Sequence, residues 1–179
     1  MAKNFKDLSE REILALAISL EEEDGRIYGD FADGLRDSYP ATVMIFEEMQ
    51  AEESQHRASL IDTYRERFGE HIPLIRRQDV NGFVQRRPMW LTRPLPINQV
   101  RKQVELMELE TRRFYERAIT HVRDAGIRKL LGDLAEVERR HYATAESLKQ
   151  SLTEAVRGKE EMRNGGCLCC RSFSPDWRD

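Results

Sequence analysis

The chain has 179 residues, 40% hydrophobic and 34% charged, with only 10 glycines and 6 prolines, a composition that suits one packed, helix-favouring unit and excludes disordered, fibrous and sandwich-type chains. Its 29 basic and 32 acidic residues leave a formal net charge of -3, so there is no positive field to hold a polyanion and nucleic-acid binding is not expected. The apolar stretch from Ile13 to Leu20 runs directly into Glu21-Glu22-Glu23; no run approaches the roughly 20 apolar residues of a membrane span and no small-residue cleavage site follows, so a cytoplasmic chain is expected.

Ser9-Glu10-Arg11-Glu12 fits a capping box and precedes apolar positions Ile13, Leu16, Ala17, Leu20, Ile27, Phe31 and Leu35, which predicts a first helix over 9–37. Ser38-Tyr39-Pro40 interrupts that pattern and restarts it, because proline is tolerated in the first turn of a helix. A second stripe follows through Val43, Phe46, Met49, Leu60 and Tyr64 and ends near Phe68-Gly69. From Gly69 to Pro96 the periodicity disappears among Pro73, Gly82, Pro88 and Pro94, which predicts a long crossover with one short helical turn.

Val100, Val104, Met107, Thr111, Tyr115, Ala118 and Val122 form a third stripe. After Asp124-Ala125-Gly126 a fourth passes through Leu130, Leu131, Leu134, Val137, Tyr142 and Leu148. Two helical hairpins joined by one long connection between helices 2 and 3 predict an all-α, ferritin-like four-helix bundle, since an up-down-up-down bundle uses three short loops. The bundle is expected over residues 1–158, with 159–179 a tail that carries all three cysteines, Cys167, Cys169 and Cys170, too clustered to staple a fold.

Glu53-Ser54-Gln55-His56 on the second helix and Glu138-Arg139-Arg140-His141 on the fourth share an i, i+3 Glu-His spacing, which puts both side chains of each pair on one helix face. Their offset is 138 − 53 = 85, and the same offset carries Met49 to Leu134 and Phe46 to Leu131. On the other two helices 115 − 28 = 87 relates Tyr28 to Tyr115, and also Glu21 to Glu108, Ala17 to Val104 and Ile13 to Val100. The chain reads as a duplicated helical hairpin.

Bundles that hold two iron or manganese ions take one Glu-x-x-His pair from each of two helices and one Glu from each of the others, which selects Glu21, Glu53, His56, Glu108, Glu138 and His141. A lone histidine beside an apolar stripe is usually a hydrogen-bonded core residue; duplication of the whole set favours ligation. Four carboxylates facing one interior repel, and two divalent cations balance them. The thiolate-free donor set favours two Fe ions, with Mn or Zn as substitutes. Glu52, four residues before His56, is set aside because Val137 stands at the matching place before His141. Glu105 is a candidate additional ligand one turn before Glu108; Asp24, near the middle of the first stripe, is a candidate supporting group or alternative ligand; Tyr28 and Tyr115 are candidates for hydrogen bonds to ligand carboxylates.

With these residues in view, the sequence over about residues 8–155 resembles the rubrerythrin group of the ferritin-like superfamily. The segment from Glu70 to Val80, with Pro88-Met89-Trp90-Leu91 and Arg93-Pro94-Leu95, is similar to the crossover of bacterial membrane-bound ferritins, in which such a domain precedes a vacuolar-iron-transporter-type membrane domain. The resemblance implies a di-iron protein that meets Fe(II) and O2 or hydrogen peroxide in iron homeostasis or oxidative-stress defence. An alternative it implies is an iron-sensing or iron-delivery domain serving a membrane exporter. The rubredoxin-like module of a full rubrerythrin needs two Cys-x-x-Cys pairs and is not expected here. A homodimer is expected, with the Trp90 crossover as an interface element.

Overall fold

The structure is a computed structural model that describes residues 3–82 and 96–164, with side chains of the last helix described as far as Ser147. Four helices dominate it: α1 (Glu10–Leu35), α2 (Pro40–Phe68), α3 (Ile97–Ile119) and α4 (Ala125–Asn164). The Ser9 side chain accepts from the Glu12 backbone N–H while the Glu12 carboxylate accepts from the Ser9 N–H at 3.0 Å, so the capping box forms as its sequence predicts. Pro40 opens α2, and Gly69 ends it at φ 82, a backbone region that glycine enters without a Cβ penalty. At α4 the Asp124 carboxylate accepts from the Ile127 N–H at 2.9 Å, a cap that satisfies a first-turn donor.

The short loops after α1 and α3 force each helix back on its neighbour, so α1 packs chiefly on α2 and α3 on α4, with smaller α1–α3 and α2–α4 contacts closing the bundle. Among its described residues the crossover carries one turn of 3₁₀ helix, Arg77–Asp79, as expected. It also carries a feature that the sequence does not signal: β2 (Val80–Asn81) pairs in parallel with β1 (Lys3–Asn4). Two-residue strands show no alternation to detect. Phe5, just after β1, is buried edge-on to Phe114 at 6.0 Å and so ties the N-terminus and crossover to α3.

The first three stripes are buried as predicted, whereas Leu130, Val137 and Tyr142 on α4 are only half-buried. Helix α4 continues through residues 159–164, past the expected start of the tail. The crossover residues Pro88, Trp90 and Pro94 and the three cysteines lie outside the described residues. The buried side chains divide into two apolar clusters, one around Leu16, Leu60, Tyr64, Tyr115 and Leu131, the other around Tyr28, Phe31, Phe46, Met49 and Met107. What lies between them is polar.

Candidate metal centre

Six donor side chains from all four helices converge between the two apolar clusters. Glu21, Glu53, Glu108 and Glu138 are each 1% exposed and His141 is 5% exposed, while the His56 side chain retains 15%. They form two sets whose donor atoms lie within 4.8 Å of one another: Glu21, Glu53, His56 and Glu138 in one, and Glu53, Glu108, Glu138 and His141 in the other. Glu53 and Glu138 are common to both. Each remaining position has its own glutamate and its own imidazole, an arrangement that follows from the i, i+3 spacing on α2 and α4 and the single glutamates on α1 and α3.

Both imidazoles turn Nδ1 toward the carboxylates. His56 Nδ1 is 3.2 Å from Glu21 Oε2 and 3.3 Å from Glu53 Oε2. His141 Nδ1 is 3.1 Å from Glu53 Oε1 and 3.5 Å from Glu108 Oε2. Burial alone lowers an imidazole, but the carboxylates of Glu21 and Glu53 hold His56 up at about 9, and those of Glu108 and Glu53 hold His141 up at about 11. Burial and then the neighbouring Glu53 charge push the Glu21 carboxyl well above its ordinary range; burial, then Glu108 and Glu53, do the same to Glu138. Burial also raises Glu53, yet the imidazoles of His141 and His56 beside it override that and hold the carboxylate well below the usual range.

Without a metal, therefore, the chain balances this cluster with protons. The balance leaves gaps: among the described residues the buried oxygens Glu53 Oε1, Glu108 Oε2 and Glu138 Oε1 accept no well-formed hydrogen bond. Buried lone pairs left short of well-formed hydrogen bonds are costly, and a cation placed among them satisfies them all at once. The donor set, carboxylate-rich with one imidazole per position and no thiolate, fits Fe, Mn or Zn.

Both tyrosines reach the cluster, and they do so crosswise. Tyr28 on α1 donates to Glu108 Oε1 on α3, and Tyr115 on α3 donates to Glu21 Oε1 on α1. Burial foremost, then nearby carboxylates, raises both phenols well above their ordinary value, so they remain protonated donors. Asp24 belongs to neither donor set; its Oδ2 accepts from Thr111 Oγ1 at 2.7 Å. Since 111 − 24 = 87, this hydrogen bond joins two equivalent positions of the repeat and explains how a carboxylate sits in the apolar stripe. Glu105 is half-buried and also outside both sets, and its charge bears on Arg101 one turn earlier.

Sequence reasoning misses one residue. Glu52, which local spacing weighs only against His56 on its own helix, approaches the other histidine: its Oε2 lies 2.8 Å from His141 Nε2, the ring nitrogen on the far side from the cluster. A carboxylate behind a donor imidazole fixes the ring orientation and raises its basicity. No helical periodicity signals a pairing between α2 and α4 that spans 89 positions.

In comparison with known protein families, residues 12–149 match Rubrerythrin. No curated protein matches the chain significantly. A solved structure of a hypothetical protein from Pyrococcus furiosus superposes with a TM-score of 0.67 at 22% identity, covering 84% of this chain and 94% of that one, a likeness of fold. Among the described residues no helix is long and apolar enough to cross a membrane.

Proposed function

Because the chain belongs to the rubrerythrin family, we propose that its buried carboxylate–imidazole centre binds two Fe ions through Glu21, Glu53, His56, Glu108, Glu138 and His141 and reacts with O2 or hydrogen peroxide. The observation that carries this reading is the sharing of Glu53 and Glu138 between two four-residue donor sets. Two bound Fe(II) ions would supply one electron each, which with two protons reduces one hydrogen peroxide to two waters.

The chain's own residues prepare that chemistry. Glu53 and Glu138, common to both sets, would serve both ions, Glu21 with His56 would hold one, and Glu108 with His141 would hold the other. The phenolic O–H groups of Tyr28 and Tyr115 orient the two single glutamates by donating to them. The apolar clusters on either side keep bulk water away and strengthen every charge interaction between them. On this reading the chain acts in the cytoplasm, as a homodimer, in iron homeostasis or oxidative-stress defence; sedimentation of the purified chain checks the dimer.

The direct test is anaerobic Fe(II) titration followed by oxidant. Uptake of two ions per chain with the absorption of an oxidised di-iron pair is expected, and unchanged uptake after combined Glu53→Ala and Glu138→Ala replacement would refute the assignment. A second reading, an iron-sensing or iron-delivery domain serving a membrane exporter, is supported by the likeness of the Glu70–Val80 segment to membrane-bound ferritins. Rapid multiple-turnover oxidation of Fe(II) would exclude it.

A further inference from the structure

Between α1 and α2 lies a cleft of about 230 Å3 whose lining includes Glu21, a residue whose own side chain is fully buried. Gly25 stands in its wall. A Cβ built on residue 25 stands 3.5 Å from the Cβ of Glu53, ordinary contact, and since Gly25 itself lines the cleft a longer side chain there would occupy it. Gln50 and Ser54 supply the facing wall from α2. At the mouth, Arg57 and Glu22 form an ion pair at 3.3 Å with roughly half of each side chain exposed (41% and 48%).

The other half of the repeat is built differently. The offset that carries Glu21 to Glu108 carries Gly25 to Arg112, since 112 − 25 = 87, and Arg112 lies half-buried in an ion pair with Glu116 at 3.1 Å. The offset that carries Glu53 to Glu138 carries Ser54 to Arg139, since 139 − 54 = 85. Arginines therefore stand where the first half has a glycine and a serine, and Glu52 stands behind His141 as well. The duplicated centre has lost its two-fold equivalence at its surroundings while keeping it at its donors.

The cleft's chemistry selects what passes. Glu22 pairs with Arg57, Arg26 adds a second guanidinium, and an amide and a hydroxyl complete the lining. Guanidinium groups oppose a cation, and so polar a lining gives an apolar gas no advantage; a small, neutral molecule that donates and accepts hydrogen bonds fits. We propose that this cleft is the path by which hydrogen peroxide reaches the Glu21–His56 position ahead of the Glu108–His141 position, and that Gly25 is the residue that keeps it open. The proposal rests on the di-iron reading above.

The test compares wild-type, Gly25→Leu and Ser54→Phe chains, each titrated anaerobically with Co(II) and then, loaded with Fe(II), mixed with hydrogen peroxide by stopped flow. Both variants are expected to take up two Co(II) with affinity within about threefold of wild type, and to react with peroxide at least about tenfold more slowly. A readout independent of turnover comes from the metal-free Gly25→Cys chain: iodoacetamide, small, neutral and polar, should alkylate the introduced thiol despite its buried position, as located by peptide mass spectrometry. Unchanged peroxide rates in variants that still hold two Co(II), or a thiol protected until the chain unfolds, would overturn the path and leave the di-iron reading intact. A wild-type chain that takes up no Co(II) would overturn both. If leucine at 25 prevents folding, Ser54→Phe decides alone, because it starts from an exposed position.

Discussion

Glu53 and Glu138 belong to both donor sets whereas Glu21 belongs to one, so their removal is expected to differ in kind. A metal that binds only the folded chain, at a free concentration about 100 times its Kd, stabilises by about 2.7 kcal/mol, so two ions contribute about 5 kcal/mol. In a chain of this length about 1 kcal/mol moves Tm by roughly 2–4 °C, so saturating Co(II) should raise the wild-type Tm by about 10–20 °C. Glu21→Ala leaves the Glu108–His141 set with its four donors and should retain about half of that rise with one ion bound. Glu53→Ala combined with Glu138→Ala takes each set from four donors to two and should abolish both the rise and the uptake. Scanning calorimetry with and without Co(II), each variant referred to its own metal-free baseline, separates this from any change in intrinsic stability. If the double variant keeps the full rise, or Glu21→Ala loses as much as the double, the shared-carboxylate geometry is wrong.

Glu138→Gln should leave the metal-free chain as stable as wild type or more stable by about 1–2 kcal/mol, because burial and the charges of Glu108 and Glu53 already disfavour its carboxylate, while weakening metal uptake; urea unfolding of the metal-free variant checks it. Glu52→Gln should weaken one of the two Co(II) affinities by roughly tenfold and leave the other unchanged, since Glu52 pairs with His141, which belongs to one donor set and not the other; two equal losses in a stepwise titration would refute the asymmetry. Metal binding should release protons at neutral pH, because His56 at about 9 and His141 at about 11 are still protonated in the metal-free chain, and affinity should therefore rise with pH; titration in a pH-stat that records no acid would contradict this. The same raised values give the metal-free chain a stabilising contribution that is complete below the unfolded imidazole value of about 6.5 and is lost as pH rises through about 9 and then about 11. Phe46→Ala should cost about 3–5 kcal/mol in denaturant unfolding, because the ring is 1% exposed and packs 5.6 Å from Tyr28 and 6.2 Å from Phe31.

Much of this molecule is written locally and is legible in the order of its residues. Ser9 with Glu12, Pro40 and Gly69 mark helix ends through bonds made within a few residues, and the apolar stripes say which face of each helix is buried. The offsets of 87 and 85 single out Glu21, Glu53, His56, Glu108, Glu138 and His141 from the sequence alone, because a duplicated pattern reports the same environment twice. A helical stripe states that a side chain faces inward; it does not state what waits there. Asp24 faces inward as its position requires, but its partner is Thr111, not the donor cluster, and Glu105 has the right spacing from Glu108 yet bears on Arg101 instead. The crosswise hydrogen bonds of Tyr28 and Tyr115, the approach of Glu52 to His141 and the pairing of Lys3–Asn4 with Val80–Asn81 all join segments distant in sequence. These depend on interhelical distance and rotation, which packing of whole surfaces sets and no short window of sequence contains. Local pattern and its repetition therefore specify the four helices and the six candidate donors. Packing between helices decides that two of those candidate donors fall in both sets and which groups stand behind them.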